Sequence, residues 1–171
     1  MINVGLLGLS SFAVTKMIPA LMASPYLNLF GVASRSKDKA KNFSAQYNCL
    51  AFECYSDLIS CPTVDLIYIP LPNSLHFYWA FQALTEYKHV LLEKPLTLSH
   101  SESQILVNLA LDNNRVISEN FLFPHHTQSK WFLDILDGRY TGSVNNIYSR
   151  YGCGWLNIIC CGDGKQRKCW Y

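Results

Sequence analysis

The sequence predicts an α/β fold, a Rossmann-type doubly wound parallel sheet. Over the first 120 residues, short apolar runs alternate with longer stretches in which apolar residues recur at helical spacing. Strands that alternate with helices form βαβ units, and their right-handed crossovers produce a parallel sheet. Composition agrees, because 50% of the 171 residues are hydrophobic and 15% are charged, which suits a globular core and excludes a disordered chain.

The first half of the sheet is predicted from two strands, each followed by a helix. Residues 2–7 are an apolar run that stops at Gly8, and residues 27–34 form the second run. The helix between them is predicted from apolar residues at helical spacing: Ala13, Met17, Ala20 and Leu21. Pro19 lies inside this helix and should kink it, because proline removes one intrahelical hydrogen bond. The second helix is predicted over residues 37–47, which have three apolar side chains on one face.

The second half of the sheet is predicted from three more strands: residues 64–69, 89–93 and 115–119. The first of them is apolar at nearly every position, as is typical of a strand buried on both sides. A helix over about residues 74–87 connects the first two strands. Ser99 and Glu102 have capping-box spacing, which predicts another helix from there to about Leu111.

The pattern changes after Asn120. One more helix is predicted over residues 126–136, ending near Gly138, and one strand over residues 143–151. The last part of the chain has no periodicity and holds four cysteines: Cys153, Cys160, Cys161 and Cys169. Four thiolates can bind zinc, but structural zinc sites favour C-x2–4-C pairs, which this tail lacks. We therefore expect no metal site, and a structural protein with a zinc-bound tail is the weakest alternative.

Charge and hydropathy exclude two classes of partner. The formal net charge is +2, from 14 basic and 12 acidic residues without a block of like charge, so no nucleic-acid partner is expected. No apolar run approaches the ~18 residues of a membrane span. Residues 1–15 are uncharged and lack the basic start and the cleavage site of a signal peptide. We expect a cytoplasmic protein with reduced cysteines.

The turn after the first strand is a candidate dinucleotide site. The pattern G-x-G-x-x-G/A is expected there, for a tight turn, close approach of the backbone to a pyrophosphate, and packing of helix on strand. The three positions hold Gly8, Ser10 and Ala13. Backbone N–H groups at the start of the helix can bind phosphate. The alternative is an ordinary strand-to-helix turn.

The turn after the second strand bears on cofactor choice. Sites for NAD usually place an acidic residue there, which accepts hydrogen bonds from the ribose, whereas a basic residue suits a 2′-phosphate. This chain has Ser34 and Arg35 at that point, and no carboxylate lies between Gly8 and Asp38. NADP is therefore the predicted cofactor, with NAD as the second choice. The alternative is a solvated basic turn that caps the next helix.

Two further motifs follow predicted parallel strands at the end where ligands bind in open α/β sheets. The first is PLPNSLH, residues 70–76, and the second is Glu93-Lys94-Pro95. A lysine at such a place can donate or accept a proton during catalysis. Taken alone, Lys94 is equally an ordinary solvated residue at a strand end.

Five segments together resemble the N-terminal domain of the Gfo/Idh/MocA family, named for glucose-fructose oxidoreductase, inositol dehydrogenase and rhizopine catabolism. In chain order they are GLLGLSSFA, VASRS, IYIPLPNSLH, HVLLEKPLTLS and ISENFLF. The resemblance covers about residues 2–150. Its most specific piece is the EKP tripeptide that follows a P-N-x-x-H motif one helix earlier. The resemblance implies reversible hydride transfer between NAD(P) and a hydroxyl of a sugar, cyclitol or nucleotide sugar.

The resemblance also implies the roles of individual residues. Those at the pyrophosphate are Gly8, Ser10 and Ser11, and those at the adenosine ribose are Ser34 and Arg35. Those that line the cofactor groove are Leu71, Asn73 and His76. Glu93 approaches the nicotinamide ribose, Asn120 lies near the nicotinamide carboxamide, and Lys94 is the catalytic residue beside the reacting carbinol. The Lys94–Pro95 peptide is expected to be cis.

The chain departs from the family pattern in two ways. Ser10 stands where the family usually has a second glycine. The family also continues into a large α+β domain with the substrate contacts and usually the dimer interface, of which residues 121–171 hold only the beginning, after a dinucleotide-binding domain at residues 1–120. The expectation is a truncated, inactive oxidoreductase that does not form the family's homo-oligomer. A non-catalytic dinucleotide-binding module is the alternative.

Overall fold

The computed structural model describes residues 1–137, 147–153 and 156–162. The chain divides into two compact units, Met1–Phe121 and Leu122–Tyr171. The first unit holds the parallel sheet that the sequence predicts. The assignment of the second unit to the beginning of an α+β substrate domain stays a prediction.

The first unit contains six strands and five α-helices. The strands are β1 (Ile2–Leu7), β2 (Leu27–Ala33), β3 (Leu50–Phe52), β4 (Leu66–Ile69), β5 (His89–Glu93) and β6 (Ile117–Asn120). The helices are α1 (Ile18–Ala23), α2 (Lys37–Tyr47), α3 (Tyr55–Ile59), α4 (His76–Thr85) and α5 (His100–Asp112). A π-helical turn, Ala13–Met17, precedes α1, and a 3-10 turn, Asn73–Leu75, precedes α4.

The six strands lie in the order β3-β2-β1-β4-β5-β6, and every neighbouring pair is parallel. This order confirms the predicted Rossmann-type, doubly wound sheet. The chain moves outward from β1 in one direction and then crosses back to β4 on the other side of β1. In such sheets a ligand crevice opens beyond the carboxyl ends of the strands, where the order reverses.

Helices cover both faces of the sheet, with a separate apolar cluster on each. Side chains of α3, α4 and α5 pack in one cluster, and side chains of α1 and α2 pack in the other. Strand β4 shows the alternation, because Ile67 and Ile69 belong to the first cluster and Tyr68 to the second. Each large side chain buried in this way contributes about 1.5–3 kcal/mol to folding. The fully apolar appearance of β4 in the sequence reflects its burial on both sides.

The helix after Gly8 is interrupted, although by a different device from a simple kink. Ala13–Met17 form the π-helical turn, and the N–H of Ile18 bonds back to the carbonyl of Ala13. Pro19 follows as the second residue of α1. A proline ring collides with the carbonyl four residues earlier in a regular helix. The π-helical turn thus interrupts the regular helix directly before the proline.

Two short elements between residues 50 and 59 were not predicted. Strand β3 has only three residues and α3 only five. Both are too short to show a periodicity, since a helical pattern is recognised over a window of about 11 residues or more. Cys54 begins α3 by accepting a hydrogen bond at Sγ from the N–H of Asp57, at 3.4 Å. Cysteine is an unusual residue for that position, so the start signal was hidden.

The last strand of the sheet begins two residues later than predicted, at Ile117. Asn114 adopts a left-handed backbone with φ of 54°. The N–H of Arg115 bonds at 2.7 Å to the carbonyl of Ala110 in α5. Arg115 therefore closes the end of the helix and is not available to the sheet.

The described part of the second unit comprises a 3-10 turn, Phe123–His125, helix α6 (Thr127–Leu136), and strands β7 (Ile147–Cys153) and β8 (Leu156–Gly162). Helix α6 confirms the prediction over residues 126–136. Strands β7 and β8 form an antiparallel pair, so one predicted strand is present and its partner was missed. Gly138, residues 143–146 and the cysteine side chains considered for zinc lie outside the description. None of the described helices is long and apolar enough to cross a bilayer.

Candidate active site

The carboxyl ends of the parallel strands bring the predicted site residues to one edge of the sheet. Strand register pairs Leu7 with Ala33, so the turns that follow β1 and β2 are neighbours. Register also pairs Ile69 with Leu92, and this aligns the PLPNSLH segment with the EKP segment. At the far side of the edge, Glu93 pairs directly with Asn120. The edge therefore runs from the β2 turn to the end of β6.

The turn after β1 requires glycine. Gly8 has φ of 91°, a backbone conformation that residues with a side chain rarely adopt. Its N–H donates at 2.8 Å to the carbonyl of Ala33, which joins this turn to the end of β2. A Cβ at Gly8 would stand 2.7 Å from Cδ2 of Leu71. Gly8 thus lets the backbone of this turn lie close to the Leu71 side chain of the PLPNSLH segment, and the role of Leu71 in lining the groove stays a prediction.

The start of the following helix has free hydrogen-bond donors. Ser10 Oγ accepts from the N–H of Ala13 at 3.1 Å and so caps the helix. Ser11 and Phe12 are exposed and already helical. Within the described part of the chain, nothing accepts from their N–H groups, which belong to the first turn of a helix. Ser10 therefore serves as a helix cap, while the next two amides remain available to an anion.

The turn after β2 carries an exposed guanidinium. Ser34 Oγ accepts from the N–H of Ser36 at 3.3 Å, and Ser36 in turn caps α2. Lys37 pairs with Glu53, and their hydrogen bond raises the pKa of the lysine and lowers the pKa of the carboxyl group. No such carboxylate partner is found for Arg35 among the described residues. Arg35 thus offers its full charge to solvent or to a bound anion.

Tyr55 lies beside this turn, and no sequence pattern pointed to it as a site residue. Only 9% of its surface is exposed, and its ring packs edge-on against Trp79. Burial raises the pKa of Tyr55, although the nearby charge and the backbone N–H of Arg35 act in the opposite direction. The hydroxyl therefore stays protonated near neutral pH, next to the backbone of Arg35.

His76 connects the two motif segments from inside the protein. Its side chain is fully buried, although the sequence predicted that it lines the groove. Nδ1 lies 2.8 Å from the carbonyl oxygen of Pro95, and Nε2 lies 2.8 Å from the carbonyl oxygen of Leu71. The Lys94–Pro95 peptide is cis, as predicted. His76 thus joins the backbone of the EKP segment to that of the PLPNSLH segment, and its role in lining the groove stays a prediction.

The EKP segment is held on its other side by Glu119 of β6. Oε1 of Glu119 accepts from the N–H of Leu96 at 2.8 Å. Lys94 is exposed, and within the described residues no carboxylate pairs with it. Asn73 is also exposed, at the start of the 3-10 turn. The backbone around Lys94 is therefore fixed by bonds to two elements, while the lysine side chain is free to reach a ligand.

Glu93 is the centre of a polar cluster at the end of β5. Its Oε1 accepts from the hydroxyl of Tyr68 at 2.7 Å and from Nδ2 of Asn120 at 2.6 Å. Nδ2 of Asn120 also lies 3.4 Å from Sδ of Met17, in the π-helical turn. Tyr68 was not predicted as a site residue, although it is a polar residue in a strand that is otherwise fully apolar.

Known proteins match most of this chain in sequence and in fold. The GFO_IDH_MocA model, an oxidoreductase family with an NAD-binding Rossmann fold, matches residues 2–121. A dTDP-3,4-didehydro-2,6-dideoxy-alpha-D-glucose 3-reductase from Streptomyces violaceoruber is 37% identical over 150 residues, which are 88% of this chain and 44% of the reductase. A D-xylose 1-dehydrogenase (NADP(+)) from Haloferax volcanii is 33% identical over 86% of this chain and 45% of its own length.

Solved structures show the same similarity. A 3-ketoreductase from Actinomadura kijaniata, solved with TDP-benzene and NADP in an open conformation, has a TM-score of 0.79 and 37% sequence identity to this chain. The match covers 84% of this chain and 46% of the ketoreductase. The chain spans about half the length of the curated relatives that it matches.

Proposed function

This chain belongs to the Gfo/Idh/MocA oxidoreductase family, and from that membership we propose that it binds NADP(H) along the carboxyl edge of its sheet. The observation that carries the proposal is the pairing of two neighbouring turns. One has a glycine-dependent bend beside helix amides, and the other has Arg35; among the described residues, these amides have no acceptor and Arg35 has no carboxylate partner. A pyrophosphate suits the first turn, and a 2′-phosphate suits the second.

Each predicted site residue has a part in this proposal. Gly8 lets the backbone approach the pyrophosphate, Ser11 offers its N–H to it, and Ser10 caps the helix start that presents this N–H. Ser34 and Arg35 hold the phosphorylated adenosine ribose. Leu71 and Asn73 form the wall of the groove, and His76 fixes the backbone of that wall. Glu93 accepts a hydrogen bond from the nicotinamide ribose, and Asn120 uses its amide oxygen toward the carboxamide.

Lys94 is the proposed proton-transfer residue. Bound NADP supplies a nicotinamide carbon that accepts or gives a hydride. Oxidation of an alcohol also releases a proton, and the neutral amine of Lys94 accepts it, whereas the ammonium returns it during reduction of a ketone. The exposed position of Lys94 on a firmly held backbone suits this role.

The proposed substrate is a carbohydrate-type alcohol or ketone, with a nucleotide sugar favoured over a free sugar or a cyclitol. Several of the most similar relatives are named as reductases of a dTDP-linked deoxysugar. The ketoreductase was solved with a TDP compound beside NADP. These relatives are about twice as long as this chain, so the substrate proposal applies to the whole enzyme of which they are examples.

Binding of NADPH to the 171-residue chain tests the cofactor proposal directly. We expect saturable enhancement of nicotinamide fluorescence on titration with NADPH, with weaker binding of NADH. Gly8→Val is the loss-of-binding variant, because its Cβ would stand 2.7 Å from Cδ2 of Leu71 and the φ of 91° strains any residue with a side chain. The control variant is Ala20→Val, at an exposed position of α1, which should keep NADPH binding. Gly31→Ala in β2 would not serve as a control, because its Cβ would collide with Phe52. Absence of saturable binding by the folded parent chain would disprove the proposal.

A further inference from the structure

The geometry points to Tyr68 as a positioning residue for cofactor binding, which acts by orienting the Glu93 carboxylate toward the nicotinamide ribose. The inference rests on the proposed function and adds to it a residue that neither the sequence motifs nor the family resemblance identified. It depends on the strand register, on the hydrogen bonds of one carboxylate, and on the environment of a buried hydroxyl.

Strand register puts three side chains on one face of the sheet. Tyr68 of β4 pairs with Leu91 of β5. Glu93 lies two residues beyond Leu91 and therefore points to the same face, and it pairs in turn with Asn120 of β6. The cluster is thus built by three adjacent strands, and no flexible loop is needed to assemble it.

Both donors of the cluster converge on a single oxygen atom. The hydroxyl of Tyr68 donates to Oε1 of Glu93 at 2.7 Å, and Nδ2 of Asn120 donates to the same atom at 2.6 Å. Within the described residues, Oε2 of Glu93 accepts no hydrogen bond. The two donors fix the plane of the carboxylate and leave Oε2 as the acceptor for a ligand hydroxyl. A ribose diol has donors of that kind.

The hydroxyl of Tyr68 has no evident packing purpose. The Tyr68 side chain is 1% exposed and belongs to the apolar cluster with Val4 and Leu6, where a phenylalanine ring would also fit. Burial raises the pKa of Tyr68, and the hydrogen bond to Glu93 raises it further. The phenol therefore remains protonated, and able to donate, near neutral pH. A donor that stays protonated and points at one oxygen of Glu93 can hold that carboxylate in a fixed orientation.

The test compares the affinity of the 171-residue chain for NADPH with its affinity for an analogue of the adenosine half of that cofactor. Tyr68→Phe should weaken NADPH binding by about tenfold or more, the lower end of the effect of losing a hydrogen bond to a charged group. Adenosine 2′,5′-bisphosphate has the adenosine half of NADP and lacks the nicotinamide ribose, so its affinity should be unchanged. The matched control is Tyr47→Phe, a half-buried tyrosine of α2 that packs on Phe43 against the same apolar cluster as Tyr68; it should leave both affinities unchanged.

A double mutant separates positioning from a structural effect. If Tyr68 acts through Glu93, Glu93→Gln should lower NADPH affinity on its own, and Tyr68→Phe added to it should cost less than about twofold more. Equal NADPH affinity of Tyr68→Phe and the parent would overturn the inference, as would losses that multiply fully in the double mutant. Loss of adenosine 2′,5′-bisphosphate binding by Tyr68→Phe would also overturn it, because the hydroxyl would then support the fold.

The outcome for the parent chain distinguishes the two proposals. If the parent binds NADPH and Tyr68→Phe binds it equally well, the proposed function stands and the role of Tyr68 is wrong. If the folded parent binds neither NADPH nor adenosine 2′,5′-bisphosphate, the proposed function fails, and the inference fails with it.

Discussion

Arg35 follows β2 at the position where an NAD site usually has an acidic residue that accepts from the ribose. The nearest lysine, Lys37, is already paired with Glu53, so at this turn the guanidinium of Arg35 is the charge available to a 2′-phosphate. A bidentate, charge-assisted contact is among the strongest that a side chain makes with phosphate. Cofactor choice is therefore expected to depend mainly on this one residue.

We predict that the chain binds NADPH at least about tenfold more tightly than NADH, equivalent to ~1.4 kcal/mol. Arg35→Ala should remove most of that difference by lowering NADPH affinity alone, since NADH has no 2′-phosphate. Fluorescence titration with both cofactors measures it. Lys39→Ala, an exposed lysine of the first turn of α2, is the charge-matched control. Equal affinities of the parent chain for the two cofactors would remove the basis for NADP.

His76 matters to the fold as well as to the site. The His76 ring is fully buried with each nitrogen 2.8 Å from a backbone carbonyl oxygen, so replacement by an apolar residue removes the hydrogen bonding between this side chain and the two segments. We predict that His76→Phe lowers the free energy of unfolding by about 2–4 kcal/mol. Urea denaturation followed by circular dichroism measures the change. His100→Phe, at an exposed position, should change it by less than about 0.5 kcal/mol, and an equal effect of both would show that the buried contacts are unimportant.

The helix that begins after Gly8 explains how the chain tolerates serine at the position of the family's second glycine. Ser10 Oγ caps the helix through the N–H of Ala13, and the π-helical turn follows at once. We predict that Ser10→Ala lowers the free energy of unfolding by about 1 kcal/mol, whereas Ser10→Gly lowers it by only a few tenths. Ser10→Gly should keep NADPH affinity, because glycine permits the same approach of the backbone. Denaturation and titration of both variants provide the check, and a tenfold or larger loss of affinity with Ser10→Gly would show that the hydroxyl itself binds the cofactor.

The elements that the sequence revealed are those with enough residues to show a pattern. Strands β1, β2, β4 and β5 and helices α2, α4 and α5 were predicted to within a few residues, because their apolar periodicity extends over the whole element. Strand β3 and helix α3 are too short for that, and they emerge only from the way the chain packs beside β2. The turn at Gly8 could be predicted from its own short motif, because a positive φ there favours one residue type, glycine.

The contacts within the candidate site could not be predicted in the same way. The partnership of Tyr68 with Glu93 depends on the register of β4 and β5, and the sequence does not state which residues of two parallel strands pair. The burial of His76 depends on how the PLPNSLH and EKP segments pack, because a carbonyl oxygen of each lies beside one of its ring nitrogens. The sequence motifs thus identified the right segments of the chain, but the direction in which each side chain points could be known only from the folded structure.

At the scale of the whole molecule, every proposed cofactor residue lies in the unit Met1–Phe121. The described part of the other unit consists of a 3-10 turn, one helix and a two-stranded antiparallel sheet. Relatives of this chain are about twice as long, and the matched region is 44% of the reductase from Streptomyces violaceoruber. Cofactor binding and substrate binding are therefore expected to separate experimentally in this chain.

We predict that the 171-residue chain binds NADPH and shows no substrate-dependent turnover. Hydride transfer needs a substrate carbon held at near-contact distance from the nicotinamide, and correct placement contributes ~7–11 kcal/mol to catalysis. The chain matches 44% of the reductase from Streptomyces violaceoruber, so more than half of an enzyme of that type is left to hold a sugar and exclude water. The measurement follows the absorbance of reduced nicotinamide with a panel of sugars, cyclitols and nucleotide sugars. Saturable turnover with any of them, abolished by Lys94→Met and kept by the exposed control Lys39→Met, would show that these 171 residues already form a closed active site in which Lys94 moves the proton.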